Sequence, residues 1–150
     1  MRKIAFTFIL LIPALLWECT TQPSNPIEGV WDAQYMEWST ADTTMIFVKS
    51  ETKGQMKIFT KEHFIWVNQN PENASSEYNI SAGGAGTYKL MGDTLVETFT
   101  LSPWLSEIGK PVASKVEVRG DTLIQIFPYP GYETGVWEEW TGKEIYTRLE

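Results

Sequence analysis

The sequence predicts an all-β fold, built from antiparallel hairpins and arranged as a sandwich or a closed barrel. Short runs rich in β-branched and aromatic residues recur from Gly29 onward, each bounded by turn-forming residues. No stretch of this region sustains the apolar period of about 3.6 residues that an amphipathic helix needs. Hairpins that recur at spacings of roughly ten residues are typical of sandwiches and barrels.

Composition and charge narrow the class of protein. The chain has 150 residues, of which 43% are hydrophobic and 13% aromatic, enough to build the core of one domain. The net charge is −7, and no stretch concentrates lysine or arginine. An acidic surface repels phosphate backbones, so we expect no nucleic-acid partner.

Residues 1–18 have the pattern of a secretory signal peptide. Arg2 and Lys3 form a charged start, and an uncharged apolar run, Ile4–Trp17, follows. That run is too short for a transmembrane helix, which needs about 20 apolar residues. We therefore expect export to the cell envelope, in the periplasm or at the outer membrane.

The single cysteine, Cys19, stands where the apolar run has ended. Its position resembles that of the lipidated cysteine in bacterial lipoprotein signals, and this resemblance implies a lipid anchor on Cys19 and contact with a membrane. Residues 19–27 then form the anchor and a polar tether, and residues 28–150 form the folded domain. A soluble exported protein, or a signal left uncleaved, is the alternative.

The predicted elements follow one another with little between them. One or two helical turns fit Ser102–Gly109, because serine can cap, proline suits the first helical position and glycine can end the turn. A polar loop fits residues 68–81. Strands are predicted at Gly29–Trp38, Thr43–Lys49, Gln55–Thr60, His63–Val67, Thr87–Leu90, Thr94–Thr100, Ser114–Arg119, Thr122–Phe127, Val136–Trp140 and Glu144–Leu149.

Two of the predicted hairpins echo each other. MGDTLVETF at 91–99 matches RGDTLIQIF at 119–127, and in each copy Gly-Asp separates two β-type runs. Glycine takes positive φ freely and aspartate tolerates turns, so each Gly-Asp pair predicts a hairpin turn.

Strand alternation within the echo points to inward polar groups. In one copy Leu95, Glu97 and Phe99 share a face, and in the other Leu123, Gln125 and Phe127 do. If leucine and phenylalanine face inward, Glu97 and Gln125 do too, where polar groups could orient a ligand. The alternatives are that these residues lie on the outer face, or that Glu97 lines a wet barrel mouth and binds nothing.

The glycine cluster at residues 83–86 does not predict a nucleotide site. A phosphate-binding glycine loop follows a strand and opens a helix, whose N-terminus holds the anion. Here Gly86 is followed by another β-type run. These glycines are better explained by a sharp bend into a strand or by close approach of another backbone.

We expect neither a metal nor a cofactor. His63 is the only histidine, and it alternates with Phe64 and Trp66, so it should face solvent. No cysteine or histidine cluster supports a transition-metal site, and no nucleophile-elbow glycines surround a serine.

Several motifs in order resemble the lipocalin superfamily. Gly29-Val30-Trp31 resembles its Gly-x-Trp start, and Tyr146-Thr147-Arg148-Leu149 its closing strand. The middle segments resemble a family of small lipocalin-like exported bacterial proteins of unknown function; they are Lys57-Ile58-Phe59-Thr60, Phe64-Ile65-Trp66-Val67, Gly84-Ala85-Gly86-Thr87-Tyr88 and Gly92-Asp93-Thr94-Leu95-Val96-Glu97. The resemblance covers about residues 28–149. It implies an antiparallel lipocalin-like β-barrel of about eight to ten strands, with Arg148 over Trp31 at the closed end.

The function predicted from these features is non-covalent binding of a small, largely apolar ligand inside the barrel, without enzymatic activity. The expected ligand contacts are Tyr35, Phe64, Trp66, Tyr88, Glu97, Gln125 and Trp137. One alternative is a packed barrel that binds a protein partner through outward aromatics, for which Trp38 and Trp104 are candidates. A further alternative is an enzyme that uses Glu97 as a general acid or base.

Overall fold

Nine antiparallel strands form one sheet in the computed structural model, which describes residues 25–69, 80–128 and 140–149. A short 3-10 helix, Leu105–Glu107, lies between the sixth and seventh strands. The strands are β1 (Gly29–Ser39), β2 (Thr44–Val48), β3 (Gly54–Phe59), β4 (His63–Gln69), β5 (Ile80–Met91), β6 (Thr94–Leu101), β7 (Pro111–Arg119), β8 (Thr122–Phe127) and β9 (Thr141–Arg148).

The sheet closes on itself as a barrel. Strands β3 to β9 pair in chain order, and β9 returns to pair with β1 from Trp31↔Arg148 to Ser39↔Thr141. The first half of β1 pairs with β3, whereas its second half pairs with β2. Strands β2 and β3 therefore lie one after the other along the same edge of β1. The result is an eight-strand closed barrel with one extra strand, which confirms the predicted all-β barrel.

The predicted strands are found within a few residues of their predicted bounds, with one large difference. β5 begins at Ile80, well before the predicted start at Thr87. The predicted strand at Val136–Trp140, except Trp140 itself, lies outside the described residues, and so does most of the predicted loop at 68–81. Both echo hairpins turn at their Gly-Asp pairs, and Gly92 and Gly120 adopt φ of 64° and 58°.

The glycines that the sequence placed before a strand lie inside β5 instead. A Cβ on Gly86 would come 2.0 Å from the carbonyl oxygen of Thr98 and 2.9 Å from the Phe64 ring. A Cβ on Gly84 would come 2.6 Å from Nε1 of Trp66. Close approach, rather than a sharp bend, explains these glycines, because they make room for inward-facing aromatic side chains and for the backbone of β6.

One end of the barrel is closed by the segment before β1. Trp31 is fully buried, and its Nε1 donates a hydrogen bond to the Ile27 carbonyl at 2.7 Å. The Arg148 guanidinium lies 4.0 Å from the centre of the Trp31 ring and donates to the backbone carbonyls of Glu28 and Pro26. This is the closing contact that the resemblance implies. The opposite end, where β1 and β6 finish, is called the mouth below.

No helix among the described residues is long and apolar enough to cross a membrane. The described ranges also contain no group of three or more His, Cys, Asp or Glu placed to hold a metal ion.

Candidate functional site

The barrel interior receives the alternating side chains that the echo predicted. On β6, Leu95, Glu97 and Phe99 are all buried, and on β8 so are Leu123, Gln125 and Phe127. Glu97 and Gln125 therefore face inward together with their apolar neighbours. The alternatives of an outer-face position and of a wet mouth position for Glu97 are both excluded by its 2% exposure.

Glu97 and Gln125 meet in a buried ion-pair cluster centred on Lys57. The Lys57 ammonium lies 3.0 and 3.2 Å from the two Glu97 oxygens and donates to Gln125 Oε1 at 2.9 Å. The Gln125 amide donates in turn to Glu97 Oε2 and to Ser114 Oγ. Strands β3, β6, β7 and β8 each contribute one residue to this cluster, because these residues face inward at the same level of the barrel.

Aromatic rings surround the same ammonium. The Nζ of Lys57 lies 5.4 Å from the ring centre of Phe59, 5.8 Å from Phe64 and 5.9 Å from Phe127. Such cation–π contacts are favourable, and more so where water is excluded. Lys57 thus has partners on several sides, and this part of the interior is packed by the protein itself.

A second polar group lies next to this cluster on β9. Glu144 is 6% exposed, and its carboxylate accepts a hydrogen bond from the Tyr146 hydroxyl, which accepts one from Gln55 at 2.8 Å. Burial raises the pKa of Glu144, while the Lys57 ammonium and the hydrogen bonds from Tyr146 and Trp38 lower it. Burial, together with the Glu144 carboxylate, also raises the pKa of the Tyr146 hydroxyl.

Two pairs of aromatic side chains lie toward the mouth. Trp38 packs on Phe127 with ring centres 5.0 Å apart, and its indole lies against Gly142. Trp66 stacks on Trp104, with centres 6.3 Å apart and an interplanar angle of 18°. Trp66 is partly exposed and Trp104 is 51% exposed, so apolar ring surface faces solvent at the mouth.

The connection between β6 and β7 carries more apolar surface beside this stack. Ser102 donates to the buried Glu107 carboxylate at 2.6 Å, a contact that ties the connection to itself. The exposed apolar residues here are Leu101, Trp104, Leu105 and Ile108.

The predicted ligand residues are not gathered in one place. Tyr35 lies on the outer face, bonded to Glu37 at 2.6 Å, because a β-bulge at Gln34 shifts the alternation of β1. Tyr88 lies at the closed end, where its hydroxyl donates to the Thr60 carbonyl, and burial raises its pKa to about 12. Trp137 lies outside the described residues.

The other predicted contacts separate into core and mouth. Phe64 is fully buried in the core against Phe59 and Phe99, whereas Trp66 reaches the mouth. Of the two aromatics considered for an outward patch, Trp104 is exposed but Trp38 faces inward, because it continues the alternation that begins after the bulge.

Sequence reasoning missed Lys57 and Glu144, the two charged residues that complete the interior. A signal for each was present. Lys57 alternates in register with Phe59, and Glu144 with Tyr146, so each shares a face with a buried aromatic residue.

Two depressions on the outside are lined by described residues. One, of about 540 Å³, lies at the closed end beside Tyr88 and Lys89. The other, of about 360 Å³, lies in the barrel wall where β2 gives way to β3, and Gln55 and Asn68 line it. Because Gln55 bonds Tyr146, the wall depression is connected by hydrogen bonds to Glu144.

Comparison with solved structures adds to this geometry. The chain superposes on the crystal structure of a lipocalin-like protein from Bacteroides uniformis with a TM-score of 0.50 and 15% identity, over 83% of this chain and 99% of that one. The fold is lipocalin-like. An uncharacterized protein from Bacteroides eggerthii superposes with a TM-score of 0.45 and 17% identity, over 81% of this chain and 98% of that one. No protein-family model and no curated protein matches the chain.

The interior of the barrel differs from the predicted ligand site in one respect. Its middle is filled by Lys57, Glu97 and Gln125, which bond one another. The interior surface that remains partly exposed lies above them, at the mouth.

Proposed function

We propose that this protein binds a small, largely apolar molecule at the mouth of its lipocalin-like barrel and has no enzymatic activity. The observation that carries the proposal is the stacked pair Trp66–Trp104, whose rings stay partly exposed at the open end of the barrel. Aromatic walls with a few polar groups at the base are typical of small-molecule sites. The lipocalin-like fold supports ligand binding in general.

The proposed site differs from the predicted one in its residues. We place its walls at Trp38, Phe127 and the Trp66–Trp104 pair, and its base at Glu144. Its contacts are therefore taken from five parts of the chain: β1, β4, the β6–β7 connection and the adjacent strands β8 and β9.

Glu97 gives little support to the alternative of an enzyme. Its carboxylate is 2% exposed and is already bound to Lys57 and Gln125. A general acid or base must come within hydrogen-bond reach of the substrate, and these partners occupy that reach.

Binding is tested with the uncharged fluorophore phenylnaphthylamine and with native mass spectrometry of the purified protein. We expect saturable fluorescence enhancement, or an added mass that is lost on denaturation. Trp104→Ala should weaken fluorophore binding by about fivefold or more, which corresponds to about 1 kcal/mol. Met91→Ala is the matched control, because Met91 is similarly exposed (56% against 51%) but lies at the closed end. Absence of uptake, or equal losses in both variants, would count against a ligand site at the mouth.

A protein partner remains the second candidate function, and one observation favours it. Leu101, Trp104, Leu105 and Ile108 expose apolar surface together beside the mouth, and such patches are often interaction sites. Cross-linking in cells would test it: a partner whose yield falls with Leu105→Ser but not with Met91→Ser would place the contact there.

We also propose export and a lipid anchor on Cys19, on the basis of the leader pattern. The described chain begins at Asn25, at the closed end, and the residues between Cys19 and Asn25 reach at most roughly 20 Å. An acylated Cys19 would therefore hold the closed end toward the membrane and leave the mouth facing away. Incorporation of a labelled fatty acid that is lost in Cys19→Ser tests the anchor; incorporation that persists in the variant would disprove it.

A further inference from the structure

The interior of the barrel holds more carboxyl groups than ammonium groups. Two carboxylates, Glu97 and Glu144, and one ammonium, Lys57, are all more than nine-tenths buried. Lys57 is paired with Glu97 and Gln125, and the same ammonium also favours the ionised form of Glu144, so one cation serves two carboxyl groups. Burying a charge is costly unless it is paired, so a second cation beside Glu144 would stabilise the ionised carboxylate that now shares Lys57 with Glu97.

The cluster also contains an acceptor with a poor partner. Oε1 of Glu97 is fully buried and forms no aligned hydrogen bond among the described residues, although it lies 3.0 Å from the Lys57 ammonium. The polar layer thus has unused acceptor capacity, while its ammonium is already engaged. An anionic ligand would find no free cation there, whereas a donor group would find an acceptor.

The surroundings of Glu144 point to the same charge. Trp38 donates to its carboxylate and packs on Phe127, so aromatic rings stand between Glu144 and the mouth. Aromatic faces attract cations, and their quadrupole repels anions. The net charge of −7 on the whole chain attracts cations over longer distances.

We infer that the ligand of the proposed site is an amine with an apolar body, bound as its ammonium, and that Glu144 receives the nitrogen while the aromatic walls hold the body. This inference rests on the proposed function, since it names the chemical class that the mouth site takes. Burial raises the pKa of Glu144, and an ammonium beside it would lower that pKa again by favouring the ionised carboxylate.

The test compares three unbranched probes that each contain eight carbon atoms but differ in head group: octylamine, octanol and octanoate. Each is titrated against bound phenylnaphthylamine on the purified protein at pH 7, and its affinity is taken from the displacement. We expect octylamine to bind about tenfold or more tightly than octanol, and octanoate to bind most weakly. A ranking with octanol or octanoate first would overturn the inference in the native protein, without any variant.

The Glu144→Gln variant then assigns the preference to one residue. It keeps the side-chain volume and an acceptor for Tyr146, and it should bring the octylamine-to-octanol ratio close to one. Glu117→Gln is the control, because Glu117 is half exposed on β7 and pairs with Arg119 outside the barrel. A preference for octylamine that persists in Glu144→Gln would overturn the role of Glu144.

The outcomes separate the two proposals. If phenylnaphthylamine does not bind the native protein and native mass spectrometry shows no added mass, the proposed function fails and the inference fails with it. If phenylnaphthylamine binds and octylamine competes no better than octanol, the mouth site stands and its preference for an amine is wrong.

Discussion

Replacing Lys57 with methionine should destabilise the protein strongly, because the change leaves Glu97 as a buried charge without its cation. The two side chains are 6% and 2% exposed, and the ammonium lies 3.0 Å from the carboxylate. Breaking a buried ion pair by removing one partner costs about 3–5 kcal/mol. The variant also loses the three contacts between the ammonium and aromatic rings, so we expect the free energy of unfolding to fall by about 4 kcal/mol.

The double variant Lys57→Met/Glu97→Gln should recover much of this loss. Removing both charges removes the desolvation cost, and the new amide can still bond Gln125. Urea unfolding at pH 7, followed by tryptophan fluorescence, is measured for the native protein, Lys57→Met, Glu97→Gln and the double variant. From these four free energies of unfolding we expect a coupling of at least about 2 kcal/mol between Lys57 and Glu97. The control is Lys115→Met, whose pair with Asp93 is half exposed on both sides and should contribute less than about 1 kcal/mol. A Lys57→Met loss no larger than the control, or a double variant no more stable than the single, would refute the reasoning.

Three further predictions use the same unfolding assay. Gly86→Ala should cost about 2 kcal/mol or more, because its Cβ would overlap a carbonyl oxygen of β6, whereas Gly54→Ala meets nothing within 4 Å and should be nearly neutral; equal effects would contradict the packing explanation. Arg148→Ala should lower the free energy of unfolding by about 2 kcal/mol, because it removes the contact with the Trp31 ring and two hydrogen bonds to backbone carbonyls. The exposed Arg119→Ala should lower it by less than about 0.5 kcal/mol, and equal losses would show that the Arg148 contact at the closed end is unimportant for stability. Glu144→Gln should become more stable relative to the native protein as pH rises above 4.5. The pKa of Glu144 is raised in the folded protein, so above 4.5 the folded carboxyl keeps a proton that the unfolded chain has lost, and the stability of the native protein falls until pH passes the folded pKa. A difference in unfolding free energy between variant and native protein that does not change with pH would refute this.

The sequence predicted the interior best where strand alternation was uninterrupted. In the two echo hairpins the period of two placed Glu97 and Gln125 inward, and the structure buries both. Alternation fails across a bulge, because one extra residue moves every later side chain to the other face. That is why Tyr35 lies outside and Trp38 inside. The sequence around Gln34 does not predict the bulge.

Partners across the barrel could not be predicted in the same way. Lys57 lies on β3 and meets residues of β6 and β8, which are far away in sequence, and such contacts depend on strand order and register. A lysine at an inward position was improbable by composition, since lysine is rarely buried without a partner. Strand alternation places Lys57 on the same face as Phe59 and predicts an inward side chain, whereas its charge predicts an exposed one, and here the alternation was correct.

The echo itself explains why the middle of the barrel is occupied. Its two copies place Glu97 and Gln125 at equivalent hairpin positions on β6 and β8, and β7 lies between them in the sheet. Ser114 on β7 faces inward at the intermediate position and bonds Gln125, which reaches on to Glu97. With Lys57 from β3 this group fills the middle of the barrel and stabilises the core, and Oε1 of Glu97 is its buried acceptor without an aligned hydrogen bond among the described residues. If the proposed site binds a ligand, its selectivity must come from the layer above, where Glu144 shares the Lys57 cation with Glu97 and aromatic rings stay partly exposed, and that is the layer the amine series measures.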